Sequence, residues 1–196
     1  MTDASPVAAA PPVRVVIAED EAIIRLDLSE MLAEEGYDVV GETGRGDEAV
    51  ALVRTLEPDL AILDVKMPGM DGLRAAALIA EEADCGVIVL TAFSQREMIA
   101  AAGEAGVLAY LVKPFQKAEL VAAIEVALAR DRERRRLRGE VRSLEDRLET
   151  RKLIDRAKAR LLGRGMGEGE AFSLIQRRSM DQRTTMRAVA EAILAE

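Results

Sequence analysis

The sequence predicts a doubly wound α/β domain with a five-stranded parallel sheet, followed by a small all-α module of three helices. Short apolar runs bounded by turn residues recur between residues 13 and 112, which is the pattern of buried parallel strands. Segments with helical periodicity separate these runs, and this alternation is typical of a parallel sheet covered by helices on both faces. Beyond residue 129 the strand-like runs stop and only helical periodicity continues.

The strands and helices of the first domain follow one another in regular order. The predicted strands are 13–18, 37–40, 60–63, 86–90 and 107–112. The first helix ends at Gly36 and repeats apolar residues at helical spacing, namely Ile23, Ile24, Leu28, Met31 and Leu32. The second covers 44–56, with Ala49, Val50 and Val53 inward, and the third covers 73–82. Ser94 is predicted to cap the fourth, and the fifth is predicted to start near Lys117 and to run through Leu128.

The tail begins with charge and continues with a short apolar seam. Residues 132–138 are nearly all charged, which is typical of a solvated helix face. The next apolar residues have coiled-coil spacing, and they are Leu137, Val141, Leu144 and Leu148. A seam this short indicates packing within one chain more often than a stable dimer. Apolar positions then predict three helices: one with Leu153, Ile154, Ala157, Leu161 and Leu162, one with Ala171, Phe172, Leu174 and Ile175, and one, capped by Thr184 or Thr185, with Met186, Val189, Ala190, Ile193 and Leu194.

Composition excludes several classes of protein. The 196 residues include no His and a single Cys, which rules out a disulfide framework, a typical zinc site and a Ser-His or Cys-His catalytic pair. Aromatic residues make up only 3%, with no Trp, so an extended platform for stacking bases is not expected. No apolar run approaches the length of a membrane span and no signal pattern is present, so we expect a cytoplasmic protein with no membrane partner.

Charge is distributed unevenly along the chain. Residues 1–128 carry 9 Lys and Arg against 23 Asp and Glu, whereas residues 151–196 carry 10 against 6. An acidic first part joined to a basic tail indicates two modules with different partners.

Polar groups follow four of the predicted strands. Glu19 and Asp20 end the first strand, Asp64 the third, Thr91 the fourth and Lys113 the fifth. The carboxyl ends of parallel strands meet at one edge of a sheet, where ligands bind. Clustered carboxylates without His or Cys favour Mg²⁺, and a carboxylate that attacks a phosphoryl group needs a metal and a lysine to neutralise charge. A helix cap is an equally good interpretation of Asp64 alone, but the joint arrangement favours a phosphoryl-accepting site.

Residues 13–128 resemble a bacterial response-regulator receiver domain over the whole module. The resemblance implies a flavodoxin-like fold, with Asp64 as a phosphoacceptor that receives its phosphoryl group from a sensor histidine kinase. It also implies that Mg²⁺ is held by the carboxylates of Glu19, Asp20 and Asp64 and by the backbone carbonyl of Lys66. The acidic pair is Glu-Asp instead of the commoner Asp-Asp, so we give Asp20 more weight than Glu19 as a direct ligand.

Four more positions match the receiver pattern. Thr91 and Tyr110 match the switch pair, and Lys113-Pro114 match the phosphate-binding lysine with its often cis proline. Phosphatases that work through an aspartyl-phosphate typically carry a second Asp two residues after the nucleophile. Lys66 occupies that place here. We therefore expect a regulator and not a dedicated enzyme.

The tail resembles an ANTAR domain, a three-helix RNA-binding module of transcription antiterminators. The resemblance rests on segments 151–158, 170–172 and 180–190 and covers nearly all of 140–195. It implies RNA stem-loops in transcripts as the partner. The candidate contacts are Arg151, Lys152, Arg156, Lys158, Arg160, Arg183, Thr184, Thr185 and Arg187. The apolar seam also allows a phosphorylation-dependent homodimer.

These patterns predict four segments. They are a disordered arm (1–12), a receiver domain (13–128), a helical or coiled-coil linker (129–150) and an RNA-binding output domain (151–196), whose first helix could instead begin near 137. The alternative function is a receiver-controlled DNA-binding transcription factor, since a basic three-helix module can also be a helix-turn-helix. Against it, the short turn into a basic recognition helix is missing, and the last helix carries Arg187 as its one cation.

Overall fold

The computed structural model describes residues 11–92 and 105–196. They fall into two compact units, the first ending at Arg135 and the second spanning Arg136–Glu196. The predicted fourth helix and its cap Ser94 lie outside the described residues.

The first unit contains the predicted five-stranded sheet, so the prediction of the fold class is confirmed. The strand order is β2-β1-β3-β4-β5, and every neighbouring pair is parallel. This is the order of flavodoxin-like doubly wound folds. The strands are β1 (Arg14–Ala18), β2 (Asp38–Thr43), β3 (Leu60–Asp64), β4 (Gly86–Thr91) and β5 (Ala109–Val112).

The helices of the described residues are α1 (Ala22–Glu34), α2 (Gly46–Leu56), α3 (Gly72–Glu82), α4 (Lys117–Gly163), α5 (Glu168–Asp181) and α6 (Met186–Ala195). The predicted fifth helix, the charged helix face, the apolar seam and the first helix of the tail form one element, because α4 is continuous over 47 residues. Its charged stretch contains opposite charges three and four residues apart, such as Arg136 and Glu140. Such pairs support a helix whose apolar content is low.

Alternate residues of the strands pack on opposite faces of the sheet. Val16 and Ala18 face a cluster that contains the buried residues of α2 and α3. Val15 and Ile17 face a second cluster with α1 and the first turns of α4. This period of two is what a buried strand dictates. The two layers hold the sheet rigid and leave the carboxyl ends of the strands as the place for a site.

The first helix corrects one prediction. Ile23 is 85% exposed, although its helical spacing in the sequence predicts the inner face. Leu28 and Leu32 are buried four residues apart. At about 3.6 residues per turn, Ile23 lies about 140° around the helix from Leu28. Ile24, four residues before Leu28, lies only about 40° from it.

The second unit is a small three-helix module. Its core joins the last part of α4 to α5 and α6 through Ala157, Ala171, Ile175, Val189 and Ile193, all of which are buried. Of the two candidate caps for the last helix, Thr185 performs the role, because its hydroxyl accepts a hydrogen bond from the backbone N–H of Ala188 at 3.2 Å.

No part of the described chain covers the apolar seam. The side chains of Leu137, Val141, Leu144 and Leu148 are 47–58% exposed. The interpretation of this seam as packing within one chain was therefore wrong. Among the described residues, no helix is long and apolar enough to span a membrane.

Candidate functional site

The register of the sheet brings the polar strand ends to one edge. Ala18 of β1 pairs with Leu63 of β3, so the next residues, Glu19 and Asp64, lie side by side. Thr91 of β4 pairs with Val112 of β5, so Lys113 follows directly beside Thr91. The backbone N–H of Lys113 donates to the carbonyl oxygen of Thr91 at 2.8 Å. Four chain segments that are distant in sequence therefore meet at a single cavity of about 360 Å³.

Asp64 is buried in this cavity and both of its carboxylate oxygens are engaged. Oδ1 lies 2.7 Å from Nζ of Lys113, and Oδ2 accepts a hydrogen bond from the backbone N–H of Lys66 at 2.9 Å. The helix after β3 is capped by Asp71, which accepts from the backbone N–H of Arg74 at 2.8 Å. The interpretation of Asp64 as a helix cap was therefore wrong.

A glycine allows α3 to begin directly beside Asp64. The N–H of Gly72 donates to the carbonyl of Val65 at 2.8 Å. A Cβ at position 72 would come within 1.9 Å of the carbonyl oxygen of Asp64. Any larger residue would push the helix away, so this close approach fixes the loop that carries the carboxylate.

Glu19 is fully buried beside Asp64. Its Oε2 lies 2.5 Å from Nζ of Lys113, and its Oε1 accepts from the backbone N–H of Glu21 at 3.3 Å. Burial raises the pKa of Glu19, and the negative charge of Asp64 adds to this effect, although the hydrogen bond from Lys113 opposes it. Burial would lower the pKa of Lys113, but its hydrogen bonds to Asp64 and Glu19 outweigh burial and raise that pKa. Lys113 is thus held as a cation between two carboxylates.

The acidic side chains fit a Mg²⁺ ion. Glu19, Asp20 and Asp64 each offer a carboxylate oxygen, and these oxygens all lie within 4.8 Å of one another. Hard oxygen ligands without nitrogen or sulfur are the set that Mg²⁺ prefers. Both oxygens of Glu19 already accept hydrogen bonds, whereas Asp20 is exposed and lines the cavity together with Lys66. This difference favours Asp20 over Glu19 as a direct ligand.

The two switch candidates lie in different surroundings. Thr91 is buried and lines the cavity. Tyr110 is 45% exposed, with its side chain at the surface. The peptide bond between Lys113 and Pro114 is cis, as the resemblance implied. The structure therefore brings together Asp64, Glu19, Asp20, Thr91 and Lys113, and leaves Tyr110 outside the cavity.

Several of the candidate RNA contacts have partners inside the second unit. Arg160 donates to the carbonyl of Leu194 at 3.0 Å, Lys152 pairs with Glu149 at 3.2 Å, and Arg187 pairs with Asp146 at 2.5 Å and with Glu191 at 3.1 Å. Thr185 caps α6, whereas Arg183 and Thr184 are exposed in the turn before it.

The remaining basic residues of α4 do not share one face. Arg151 and Lys158 line a cavity of about 350 Å³ in the second unit, together with Phe172 of α5. At about 3.6 residues per turn, Arg156 lies about 160° around the helix from Lys158. The candidate RNA contacts of α4 therefore lie on two sides of the helix.

The sequence pattern missed other residues of this cavity, among them Arg147 and Ile154. Phe172 was assigned to the core of α5, but its side chain is 44% exposed. Ala171 and Ile175, four residues apart, are the fully buried positions of that helix. This spacing was available in the sequence, and it places Phe172 beside the buried stripe instead of on it.

Comparison with known proteins identifies both units. Residues 15–125 match the response regulator receiver domain, and residues 142–194 match the ANTAR domain. The transcriptional regulatory protein PdtaR of Mycobacterium tuberculosis is 57% identical over 95% of this chain and 91% of its own length. The chemotaxis protein CheY of Thermotoga maritima is 37% identical over 57% of this chain and 93% of its own. The signal receiver domain of NarL from M. tuberculosis matches with a TM-score of 0.59 and 30% identity, covering 61% of this chain and 98% of that one.

Proposed function

The chain belongs to the response regulators that join a receiver domain to an ANTAR domain, and we propose that phosphorylation of Asp64 controls RNA binding by the ANTAR module. The observation that carries this proposal is the contact of Asp64 with Lys113, in a cavity that Asp20 and Thr91 also line. A receiver domain implies a histidine kinase as partner, and RNA binding is the role of ANTAR domains. The proposed outcome is transcription antitermination, in which a stem-loop near a terminator is held in its antiterminated form.

In the proposed transfer an oxygen of Asp64 attacks the phosphorus of a phosphohistidine on the sensor kinase. A new O–P bond forms while the P–N bond breaks, and the imidazole leaves with the electron pair. The carboxylates of Glu19 and Asp20 would repel the incoming phosphoryl group. The ammonium of Lys113, within 2.7 Å of both Asp64 and Glu19, offsets part of that charge.

The proposed Mg²⁺ ligands are Asp20, Asp64 and Glu19 with the backbone carbonyl of Lys66. When bound, the ion would neutralise charge on the phosphoryl oxygens and orient them. The fit rests on the distances between the three carboxylates, which each offer an oxygen within 4.8 Å of the other two.

The proposed switch starts from the added charge, which is about −1.5 to −2 on phosphorylated Asp64. The hydroxyl of Thr91 and the ammonium of Lys113 would bind the new phosphoryl oxygens. Lys113 would then loosen its contact with Glu19, and Tyr110 would change rotamer as Thr91 moves inward. A shift of this kind needs only a few kcal/mol of differential stabilisation, and α4, which follows β5, is the proposed route to the output module.

The apolar seam supports a further part of the proposal, a phosphorylation-dependent homodimer. Leu137, Val141, Leu144 and Leu148 are about half exposed and keep coiled-coil spacing. A second copy of the chain would cover them.

Phosphorylation of Asp64 is tested by labelling with a radioactive phosphodonor and Mg²⁺. The Asp64→Asn variant should lose the acid-labile, hydroxylamine-labile phosphate. Asp71→Asn is the matched control, because it lies in the same loop and Asn also caps helices well, so it should be labelled like the wild type. Undiminished labelling of Asp64→Asn would show that another residue accepts the phosphoryl group.

RNA binding is tested by pull-down and sequencing with the chain in its unmodified and its beryllofluoride-treated form. We expect transcripts with stem-loops to be enriched, and the enrichment to change with beryllofluoride. Preferred binding to duplex DNA of matched sequence would contradict the proposal and favour a DNA-binding transcription factor.

A further inference from the structure

We infer that the cavity between α4 and α5 is a subsite for one unstacked base of an RNA loop and its neighbouring phosphate. This inference rests on the proposed RNA-binding function and names the part of the ligand that the module recognises. The cavity, called here the Phe172 pocket, is lined by Phe172, Ile154, Arg147, Arg151, Asp155 and Lys158. All of these residues belong to the second unit.

The apolar walls of the pocket suit the flat face of a base. Phe172 is the one aromatic residue of segment 136–196, and 44% of its surface is exposed. Exposed apolar side chains are common singly, so exposure alone would not indicate a site. Here Ile154 forms a second apolar wall of the same cavity of about 350 Å³. Stacking on an aromatic ring is the usual way in which unpaired bases of RNA loops are bound.

The cations of the pocket suit a phosphate. Arg147, Arg151 and Lys158 follow one another at spacings of four and seven residues, so they lie along one side of α4. Within the described part of the chain, no carboxylate pairs with Arg147 or Arg151. Lys158 has only distant contacts, 3.9 Å to Asp155 and 3.6 Å to Glu168. These three cations are therefore available to an anion.

The other basic residues of the module provide a contrast. Arg164 and Arg178 both pair with Glu196, and Arg160 donates to the carbonyl of Leu194. These three cations are occupied at the C-terminal end of α6, in contrast to the cations of the pocket.

One carboxylate in the pocket adds selectivity for the base. Asp155 is exposed and accepts hydrogen bonds only, so it favours a base edge that donates. Adenine, cytosine and guanine carry an exocyclic amine, whereas the N–H of uracil is flanked by two carbonyl oxygens that repel a carboxylate. We therefore expect the pocket to bind uracil more weakly than the other three bases.

Both walls of the pocket are fixed by the core of the module. Ala157 of α4 packs with Ala171 and Ile175 of α5, and all three are fully buried. The start of α5 is held by Glu170, whose carboxylate accepts from the backbone N–H of Gly167 at 3.1 Å. The pocket is thus formed before a ligand arrives, which limits the entropy lost on binding.

The inference is tested with the full-length chain and single-stranded RNA octamers of A, C or U. The chain has no Trp, so Phe172→Trp introduces a single tryptophan as reporter and keeps an aromatic ring in the pocket. Its emission should be quenched by the A and C octamers and less by the U octamer. Phe172→Leu removes the ring but keeps apolar bulk, and it should weaken binding of the A octamer about 5-fold to 150-fold.

The salt dependence separates stacking from charge. Phe172→Leu should leave the slope of log affinity against log salt unchanged, whereas Arg151→Ala should flatten it by about 0.7. Leu162→Ala is the matched control, because Leu162 is a similarly exposed apolar residue of the same module that does not line the pocket. It should bind like the wild type.

Each remaining outcome has a definite meaning. Equal affinity of Phe172→Leu and wild type, with the steep salt slope retained, would overturn the base subsite while leaving RNA binding intact. Failure of the wild type to bind RNA in either phosphorylation state would overturn the proposed function, and the subsite with it. Quenching of Phe172→Trp that depends on protein concentration and not on RNA would assign the pocket to a second copy of the chain, which also overturns the inference.

Discussion

A buried aspartate about a third of the way along α4 should fix this helix to the receiver sheet. Asp131 is 3% exposed and pairs with Arg134 at 2.6 Å and with Arg135 at 2.5 Å. The same guanidinium groups donate to the carbonyl oxygens just before β4, Arg134 to Cys85 at 3.1 Å and Arg135 to Asp84 at 2.6 Å. We predict that Asp131→Asn releases this anchor, because the side chain keeps its shape but loses its charge.

The size of the effect follows from the exposure of each pair. A hydrogen bond to a charged group contributes about 1.5–3 kcal/mol, which applies to Arg134, whose side chain is 20% exposed. The pair with Arg135, 39% exposed on the arginine side, adds at most about 1 kcal/mol because solvent screens it. Arg134 also has a buried Nε with no hydrogen-bond partner among the described residues, so it tolerates a further loss poorly. The expected loss of local stability is about 2–4 kcal/mol.

The reactivity of Cys85 measures this loss directly. It is the chain's one cysteine, it is 1% exposed, and burial raises its pKa to about 12. A thiol reagent at pH 8 should therefore react only after local opening, and the rate then reports the population of the open form. A loss of about 2–4 kcal/mol corresponds to labelling that is about 30-fold to 1,000-fold faster in Asp131→Asn.

The pH dependence provides an internal check. The folded state holds the thiol proton more tightly than the unfolded state, because the pKa is raised from 9.0 to about 12. The unfolding free energy should therefore decrease as pH rises between these values, by at most about 1.4 kcal/mol per pH unit, and Cys85→Ala should lack this component. Labelling through an opened state should therefore keep rising above pH 9, by up to about tenfold per pH unit, because the open form becomes more populated as the unfolding free energy falls.

The matched control is Glu140→Gln, which removes a salt bridge with Arg136 whose side chains are both more than half exposed. That pair should be worth less than about 0.5 kcal/mol, so the labelling rate of Cys85 should stay at the wild-type value. Wild-type labelling in Asp131→Asn, with unchanged helical content, would refute the anchor.

Three further predictions concern the proposed site and surfaces. Asp20→Asn should raise the Mg²⁺ concentration needed to increase the melting temperature at least tenfold, and an unchanged requirement would remove Asp20 from the ligands. Beryllofluoride with Mg²⁺ should increase the mass measured by light scattering, and Leu144→Asp should abolish the increase; a wild-type chain that stays monomeric would contradict the homodimer. Combined alanine replacement of Arg156, Lys158 and Arg183 should weaken stem-loop binding and flatten its salt slope by about 2 without affecting phosphorylation of Asp64, and unchanged affinity and slope would show that these residues do not contact RNA.

The sheet was predictable because strand identity and strand-end chemistry are both local signals. Each buried run is short and bounded by turns, and the register of a parallel sheet brings the ends of such runs to one edge. Asp64 and Lys113, far apart in sequence, therefore meet at 2.7 Å. The sequence could not show which carboxylate accepts these hydrogen bonds. The bond from Lys113 to Glu19 depends on how far each side chain reaches into the site, and this is set by the packed fold.

The helical tail was less predictable because periodicity shows the faces of a helix but not which face is covered. Phe172 has an apolar side chain, yet the stripe that α5 buries runs through Ala171 and Ile175. The charged stretch after Leu128 predicted a solvated helix face, but periodicity did not show that one helix runs from Lys117 to Gly163. Arginine and aspartate three and four residues apart instead carry α4 through it, and that support depends on the anchor around Asp131.

The anchor also explains where the apolar seam begins. Upstream of Leu137, Arg134 and Arg130 continue the same spacing of three and four residues. Both donate to backbone carbonyls of the receiver, Arg130 to Leu108 at 2.5 Å and Arg134 to Cys85 at 3.1 Å. One stripe of α4 thus hydrogen-bonds to the receiver through Arg130 and Arg134 and carries exposed apolar side chains from Leu137 onward. Asp131→Asn and Leu144→Asp should therefore act separately, the first on the labelling of Cys85 and the second on mass. Since they share no partner among the described residues, the double variant should label at the rate of Asp131→Asn, and a difference above about 0.5 kcal/mol in the opening free energy of Cys85 would mean that the anchor and the seam are coupled.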